Sequence, residues 1–323
     1  MAMQTLIPIL VVAATAGCLW WLLHSGWARR LALDVPNERS LHSVPTPRIG
    51  GLVALPFALS ATLVLAPTMR GVAAIALLLV AVSWFDDRRG LPVKVRLATQ
   101  FLAATLALAV VEGAALPLWA AVAAVFWLVW LANLYNFMDG ANGLAGGMAV
   151  FGFGAYGLAA GGVPDVALAS FSLAAAAAGF LVFNLQPARL FLGDAGSVPL
   201  GFLAGAIGLF GVLHCVWPVW FPVLVFSPFI ADATVTLLAR LLRGEKVWQA
   251  HCEHTYQKLV RMGWSHERLA AHAWGLMLAA ALSALLLRGA PAWGQWLGLA
   301  GWTLVYGVLF LFVERRWRGM IQT

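Results

Sequence analysis

Eleven apolar runs, beginning near Thr5, Gly50, Gly71, Val95, Ala115, Gly143, Val166, Val198, Val216, Leu269 and Trp293, divide this 323-residue chain almost end to end. A helix needs roughly 20 mostly apolar residues to cross the hydrocarbon of a bilayer. Inside that hydrocarbon, only folds that satisfy every backbone N–H and C=O internally persist. The chain therefore reads as an all-α integral membrane protein, a polytopic bundle of about 11 transmembrane helices forming a single domain over residues 1–323. The run from Gly71 to Phe85 is short and that from Val216 to Arg240 long, so one tilted, split or merged segment is expected. Composition agrees: 62% of residues are hydrophobic and 10% charged, where soluble domains carry about 25% charged. No Lys or Arg precedes the first run, which argues for a first helix that stays rather than a cleaved leader. The three cysteines, Cys18, Cys215 and Cys252, are dispersed and imply no disulfide framework.

The net charge of +7 would suit a nucleic-acid partner, but its distribution points elsewhere. With the N-terminus outside, 18 of the 20 Lys and Arg fall in the inner loops and the C-terminal tail, leaving only Arg70 and Arg288 outside. That is the positive-inside signature of a membrane protein. It places the N-terminus in the periplasm and the C-terminus in the cytoplasm, with cytoplasmic loops at approximately 24–49, 86–94, 133–143, 185–197 and 241–268, and no nucleic acid. The outer loops are minimal, so function is expected on the inner face.

The carboxylates show the same asymmetry. Of the 13 Asp and Glu, only Glu112 and Asp165 lie outside, while Asp86, Asp87, Asp139 and Asp194 each end a helix or open a loop inside. Acidic residues have no topological reason to gather, so a shared site is the better reading. Asp86-Asp87 follow an apolar run directly, and a divalent cation would relieve their repulsion; a solvated loop paired with Arg88 and Arg89 is the bland alternative. The stretch Asn133 to Gly143 can hold a nucleotide or metal, although Asn and Gly also populate ordinary turns. In Gly193-Asp194-Ala195-Gly196-Ser197, Asp194 reads either as a first-turn cap or as an oxygen ligand for Mg²⁺ and a diphosphate. His251 and His254 stand at i and i+3 and suit phosphate or sugar contact better than zinc. Asp232 is expensive inside an apolar helix unless paired; it either faces the site or meets Arg240 or a backbone amide.

Taken in order, these segments resemble the polyprenyl-phosphate N-acetylhexosamine-1-phosphate transferases. The likeness begins with Asp34 to His42 and Pro45-Thr46-Pro47-Arg48-Ile49-Gly50-Gly51. It continues through Asp86-Asp87 to Arg96, Asn133 to Gly143, Gly193 to Ser197, and the histidine loop His251 to His266. Many bacterial members have Asp where this chain has Asn142. The histidine loop looks closest to members that prime O-antigen synthesis and less like the branch that transfers phospho-MurNAc-pentapeptide for peptidoglycan.

The resemblance implies a multi-pass enzyme of the bacterial inner membrane with its active site facing the cytoplasm. It would transfer a sugar 1-phosphate from a UDP-N-acetylhexosamine to undecaprenyl phosphate, using Mg²⁺ with Mn²⁺ as a substitute; a homodimer is compatible. By resemblance, Asp194, Asn136 and Asp87 hold the metal. Asp86, Asp87, Asp139, Asp194 and His254 form the catalytic set, with Asp86 orienting or deprotonating the lipid phosphate. Thr46, Arg48, Arg96, Asn136, Asn142, Asn184 and His251 contact substrate. A rival of another class is an ion-coupled transporter with Asp232 as a relay, but a transporter keeps its charges near the midplane and here nearly all lie at one surface. A noncatalytic scaffold has no use for the clustered carboxylates.

Overall fold

A computed structural model of the chain describes residues 2–36, 44–111, 116–185, 187–246 and 251–321. Part of the first motif, 37–43, and the expected positions of Glu112 and Ala115 lie outside the described residues. Among the described residues the architecture is helical apart from two antiparallel strands of two residues each. In order, the elements are α1 (Ala2–His24), α2 (Ala28–Leu31), β1 (Leu33–Asp34), β2 (Thr46–Pro47), α3 (Gly50–Leu65), α4 (Arg70–Arg89), α5 (Val93–Val111), α6 (Leu118–Phe137) and α7 (Leu144–Ala159). Then follow α8 (Pro164–Asn184), α9 (Asp194–Leu213), α10 (Trp220–Val225), α11 (Ser227–Leu242), α12 (Thr255–Arg261), α13 (His266–Leu287) and α14 (Ala292–Ile321).

Among the described residues, eight helices are long and apolar enough to cross a membrane, and α3 and α7 are shorter apolar helices. Eight of the eleven expected runs thus reach spanning length; the other three are the shorter α3 and α7 and the run that holds α10 and α11. The long run after Val216 is the split one: it breaks between α10 and α11, where Pro228 stands in the first turn of α11. Proline lacks the N–H that would continue the preceding helix and its ring crowds the previous turn. The short run after Gly71 is instead lengthened, because α4 continues through Asp86 and Asp87 to Arg89 and ends on the left-handed Gly90. Helix α6 likewise runs on through Asn133 and Asn136. Polar side chains in a last turn leave the backbone ladder intact, so several residues read as loop are helical.

The centre of the bundle belongs to α9 and α8, whose apolar windows are 83% and 78% buried, whereas α14 is 6% buried. Small residues allow this closeness. A Cβ on Gly51 in α3 would stand 2.0 Å from the Gly196 Cα of α9, so two backbones touch there and only glycine serves. That contact sits at the end of the bundle where the motifs gather, and hydrogen bonds extend it. Gly50 N and Gly51 N donate to the carbonyls of Phe191 and Leu192 at 2.9 and 2.8 Å, and Phe191 N donates to the Pro47 carbonyl at 2.8 Å. The first polar loop is thereby fastened to the loop that launches α9. At the opposite end, Thr68 donates its N–H (2.8 Å) and hydroxyl (2.7 Å) to Asp165, tying the turn before α4 to the start of α8.

Candidate active site

The last turn of α4 presents two carboxylates, and the structure gives them different surroundings. Asp87 is enclosed, with its side chain 1% exposed. It accepts from the backbone amides of Asp194 (3.3 Å) and Ala195 (3.1 Å), the first residues of α9, and pairs with Arg48 at 3.4 Å. A carboxylate on the N-terminal amides of a helix satisfies orphan donors and meets the positive end of its dipole. The preceding Gly193 has φ 75°, and a Cβ there would lie 2.9 Å from the Asp87 carboxylate. Asp86 lines a cavity instead, its side chain 9% exposed. It accepts from Leu91 N at 2.6 Å and from Arg96 at 3.2 Å, and the same guanidinium lies 3.9 Å from Asp194. Arg96 therefore stands between two carboxylates.

Asn136, one turn above Asn133, accepts from the Ser197 hydroxyl at 2.7 Å, which joins α6 to α9 beside Asp194. After α6 the chain turns through Asp139 to Gly143. Burial pushes the Asp139 pKa well up, and the carboxylates of Asp194, Asp87 and Asp34 add to it. The turn is held from outside: Asn184 accepts from Gly143 N at 2.8 Å and donates to the Leu190 carbonyl at 3.0 Å, and the Trp274 indole N–H donates to the Gly143 carbonyl at 2.9 Å. Asn142 N lies 3.4 Å from His266 Nδ1.

Two cavities meet at this point. The first, about 580 Å³, has apolar walls from Leu79, Val82, Val93, Leu97 and Val198, with Asp86, Arg96, Gln100, Asn133 and Asn136 as its polar groups. Its α5 wall lies on the outer surface, where Val93 and Leu97 are exposed. The second, about 880 Å³, is polar, lined by Asp34, Arg48, Asp139, Asn142, Asn184, Gln257 and His266 among others. Asn136 and Asp194 line both.

The model of the family described as glycosyl transferase family 4 matches residues 69–212, the segment that carries all four carboxylates and Arg96, Asn136, Asn142 and Asn184. The central part of the chain, residues 69–212, is thus similar to glycosyl transferase family 4. The chain is 26% identical over 309 residues, 88% of its own length and 86% of the relative's, to a protein of Bacillus subtilis (strain 168) named as a probable undecaprenyl-phosphate N-acetylglucosaminyl 1-phosphate transferase. It is also 33% identical to the phospho-N-acetylmuramoyl-pentapeptide-transferase of Levilactobacillus brevis over 51% of this chain and 50% of that one. The enzyme of the same name from Listeria welshimeri is 32% identical over 49% and 48%. These likenesses and its apolar helices make the chain a sugar-phosphate transferase of the multi-pass membrane class.

Of the residues expected at the site of the transferase, the structure gathers Asp86, Arg96, Asn136, Asp194, Asp139, Arg48, Asn142 and Asn184 around the two cavities. Asp87 stands behind them, against the start of α9. Thr46 is buried, its hydroxyl on the Val44 carbonyl at 2.9 Å, and lines a separate depression near α2. His254 is 3% exposed, stacks on Phe137 and Tyr256 and meets the His251 ring at a tilt; neither it nor His251 lines either cavity. Burial, and then the neighbouring His254, push the His251 pKa down to about 4. Three cavity residues had no role assigned from sequence: Asp34, Gln257 and His266, all within the motifs quoted above. Gln100 was missed altogether; a lone amide in an apolar helix was its signal, and it accepts from Asn133 at 2.6 Å.

Among the described residues, no three His, Cys, Asp or Glu side chains form a ready-made metal cage. Mg²⁺ commonly takes one or two carboxylates, with water and substrate phosphates completing its shell. The donor set at the cavity junction fits that habit: Asp139 is a carboxylate that burial and the neighbouring carboxylates leave poorly compensated, Asp194 lines both cavities with Arg96 3.9 Å away, and Asn136 adds a neutral side chain beside it.

Proposed function

We propose that this enzyme transfers an N-acetylhexosamine 1-phosphate from its UDP-sugar to undecaprenyl phosphate, with Mg²⁺, releasing UMP. One observation carries the reading: an apolar-walled cavity open toward lipid and a polar cavity meet at Asn136 and Asp194. A polyprenyl tail partitions into hydrocarbon while its phosphate stays at the interface, so the first cavity suits the acceptor and the second the nucleotide-sugar. With the N-terminus in the periplasm, as the distribution of Lys and Arg favours, both cavities would lie at the cytoplasmic face of the inner membrane, where UDP-sugars are made, and O-antigen priming is the pathway favoured by the histidine loop.

The reaction forms a bond from a lipid phosphate oxygen to the sugar-bearing phosphorus and breaks the bond from that phosphorus to the UMP oxygen. A phosphate monoester has a second pKa of about 6, so the acceptor is mostly dianionic at neutral pH. The task of the protein is then alignment and charge neutralisation. Arg96, at the junction, draws the lipid phosphate toward Asp194. Asp86, already accepting from Arg96 and Leu91 N, fixes that guanidinium. Arg48, Asn142 and His266 face the nucleotide-sugar. Bound Mg²⁺, held by Asp194, Asn136 and Asp139, would neutralise the diphosphate and favour UMP as leaving group.

The test is UMP release from a panel of UDP-N-acetylhexosamines by purified protein, with and without undecaprenyl phosphate and chelator. Lipid-dependent, chelator-sensitive release is expected, and the fastest donor names the sugar. The likeness to pentapeptide transferases supports a second reading, in which only UDP-MurNAc-pentapeptide releases UMP. No release with any donor from folded protein would overturn the assignment.

A further inference from the structure

Asp232 lies in the middle of α11 and is 6% exposed. A carboxylate so placed is costly unless its oxygens are satisfied. They are: Oδ1 accepts from Thr255 N at 2.8 Å and from the Thr236 hydroxyl at 3.2 Å, and Oδ2 is 3.3 Å from Tyr256 N. Thr255 and Tyr256 open α12, so these two donors are N–H groups for which the helix has no internal acceptor. A helix of seven residues is too short to persist by itself. Its position is set by what grips it, and Asp232 grips its first turn from a different helix.

What α12 carries makes that grip consequential. The Tyr256 hydroxyl donates to the Phe137 carbonyl at 3.0 Å, one residue from Asn136. It also fills the space that a Cβ on Gly140 would need, at 2.1 Å. The next residue, Gln257, lines the polar cavity, and its side-chain oxygen accepts from His254 N at 3.1 Å. A continuous set of contacts thus runs from Asp232 through the first turn of α12 to the wall of the cavity and to the turn bearing Asp139. Arg240, the other partner expected for Asp232, pairs with Glu245 at 2.8 Å and approaches Glu253 at 3.8 Å.

We infer that Asp232 is a positioning residue for the nucleotide-sugar: by holding two amides of α12 it fixes where Gln257 and the Asp139 turn meet the donor, without touching either substrate. The inference rests on the polar cavity being the donor site. A carboxylate that merely stabilised the bundle would, when altered, depress turnover and the use of both substrates together. A positioning role divides them.

The experiment uses the full chain in detergent or nanodiscs. KM and kcat are measured for undecaprenyl phosphate and for the UDP-N-acetylhexosamine that wild type turns over fastest, in wild type, Asp232→Asn and Gln257→Ala. Asp232→Asn keeps one acceptor oxygen and loses the charge, so the donor KM is expected to rise about tenfold while the acceptor KM stays within about twofold. Equal changes in both KM values, or an unchanged donor KM, would overturn the inference. Gln257→Ala separates the two levels. If it raises the donor KM and Asp232→Asn does not, the positioning role fails alone; if neither does, the donor-site reading fails with it. Should Asp232→Asn not accumulate as folded protein, Asp232→Glu retains the charge but displaces the carboxylate by one methylene, and the same split between the two KM values decides.

Discussion

Substituting Asp87 by Ala should unfold the protein more readily, whereas substituting its neighbour Asp86 should spare the fold and stop the reaction. Asp87 holds two backbone amides of α9 and the Arg48 guanidinium with a side chain 1% exposed. Hydrogen bonds to a charged acceptor are each worth about 1.5–3 kcal/mol, and removing one partner of a buried, paired charge costs about 3–5 kcal/mol. Arg48 is 30% exposed and can recover water, so the lower half of that range applies, about 3–4 kcal/mol for Asp87→Ala. Asp86, its side chain 9% exposed, accepts from one loop amide and from Arg96, itself 39% exposed, and Asp86→Ala should cost about 2 kcal/mol, less than Asp87→Ala. The assay is reversible unfolding of both variants in mixed micelles, read by tryptophan fluorescence, beside UMP release. Wild-type stability of Asp87→Ala would refute the clamp and return Asp87 to the metal shell.

Three further outcomes follow from other contacts. Gly51→Ala puts a methyl 2.0 Å from the Gly196 Cα; overpacking at a backbone contact should cost about 3 kcal/mol or more, seen as a lowered thermal midpoint. Gly140→Ala collides with the Tyr256 hydroxyl, so it should cut kcat about tenfold, and adding Tyr256→Phe should restore part of the loss; no restoration would place the damage elsewhere. The folded-state pKa of His251, about 4, lies below the ordinary value of about 6.5, so its ring stays neutral at pH 7. Folding then loses stability as pH falls from about 6.5 through 4, and His251→Gln should flatten that part of the stability profile.

The bundle was legible because apolar length is a local property: every run named from sequence is helical in the described residues, and the four inner carboxylates do converge on one end. Three things were hidden. The fates of Asp86 and Asp87 differ because neighbours on a helix point about 100° apart, and which one meets α9 depends on packing between α3, α4 and α9. The site role given to His254 and passed over for His266 and Gln257 turns on where α12 lies, which Asp232 sets from 23 residues upstream in sequence. Three of the eleven runs fall short of spanning length, because α3 and α7 stay short and the α10 and α11 run is split at proline.

The central claim is that a phosphorus atom moves with the sugar. A donor labelled with ³²P at the sugar-bearing phosphate, incubated with protein, undecaprenyl phosphate and Mg²⁺, tests it in one extraction. The account predicts label in the organic phase and unlabelled UMP in the aqueous phase. Label remaining in the aqueous phase as UDP, with sugar alone on the lipid, would contradict it.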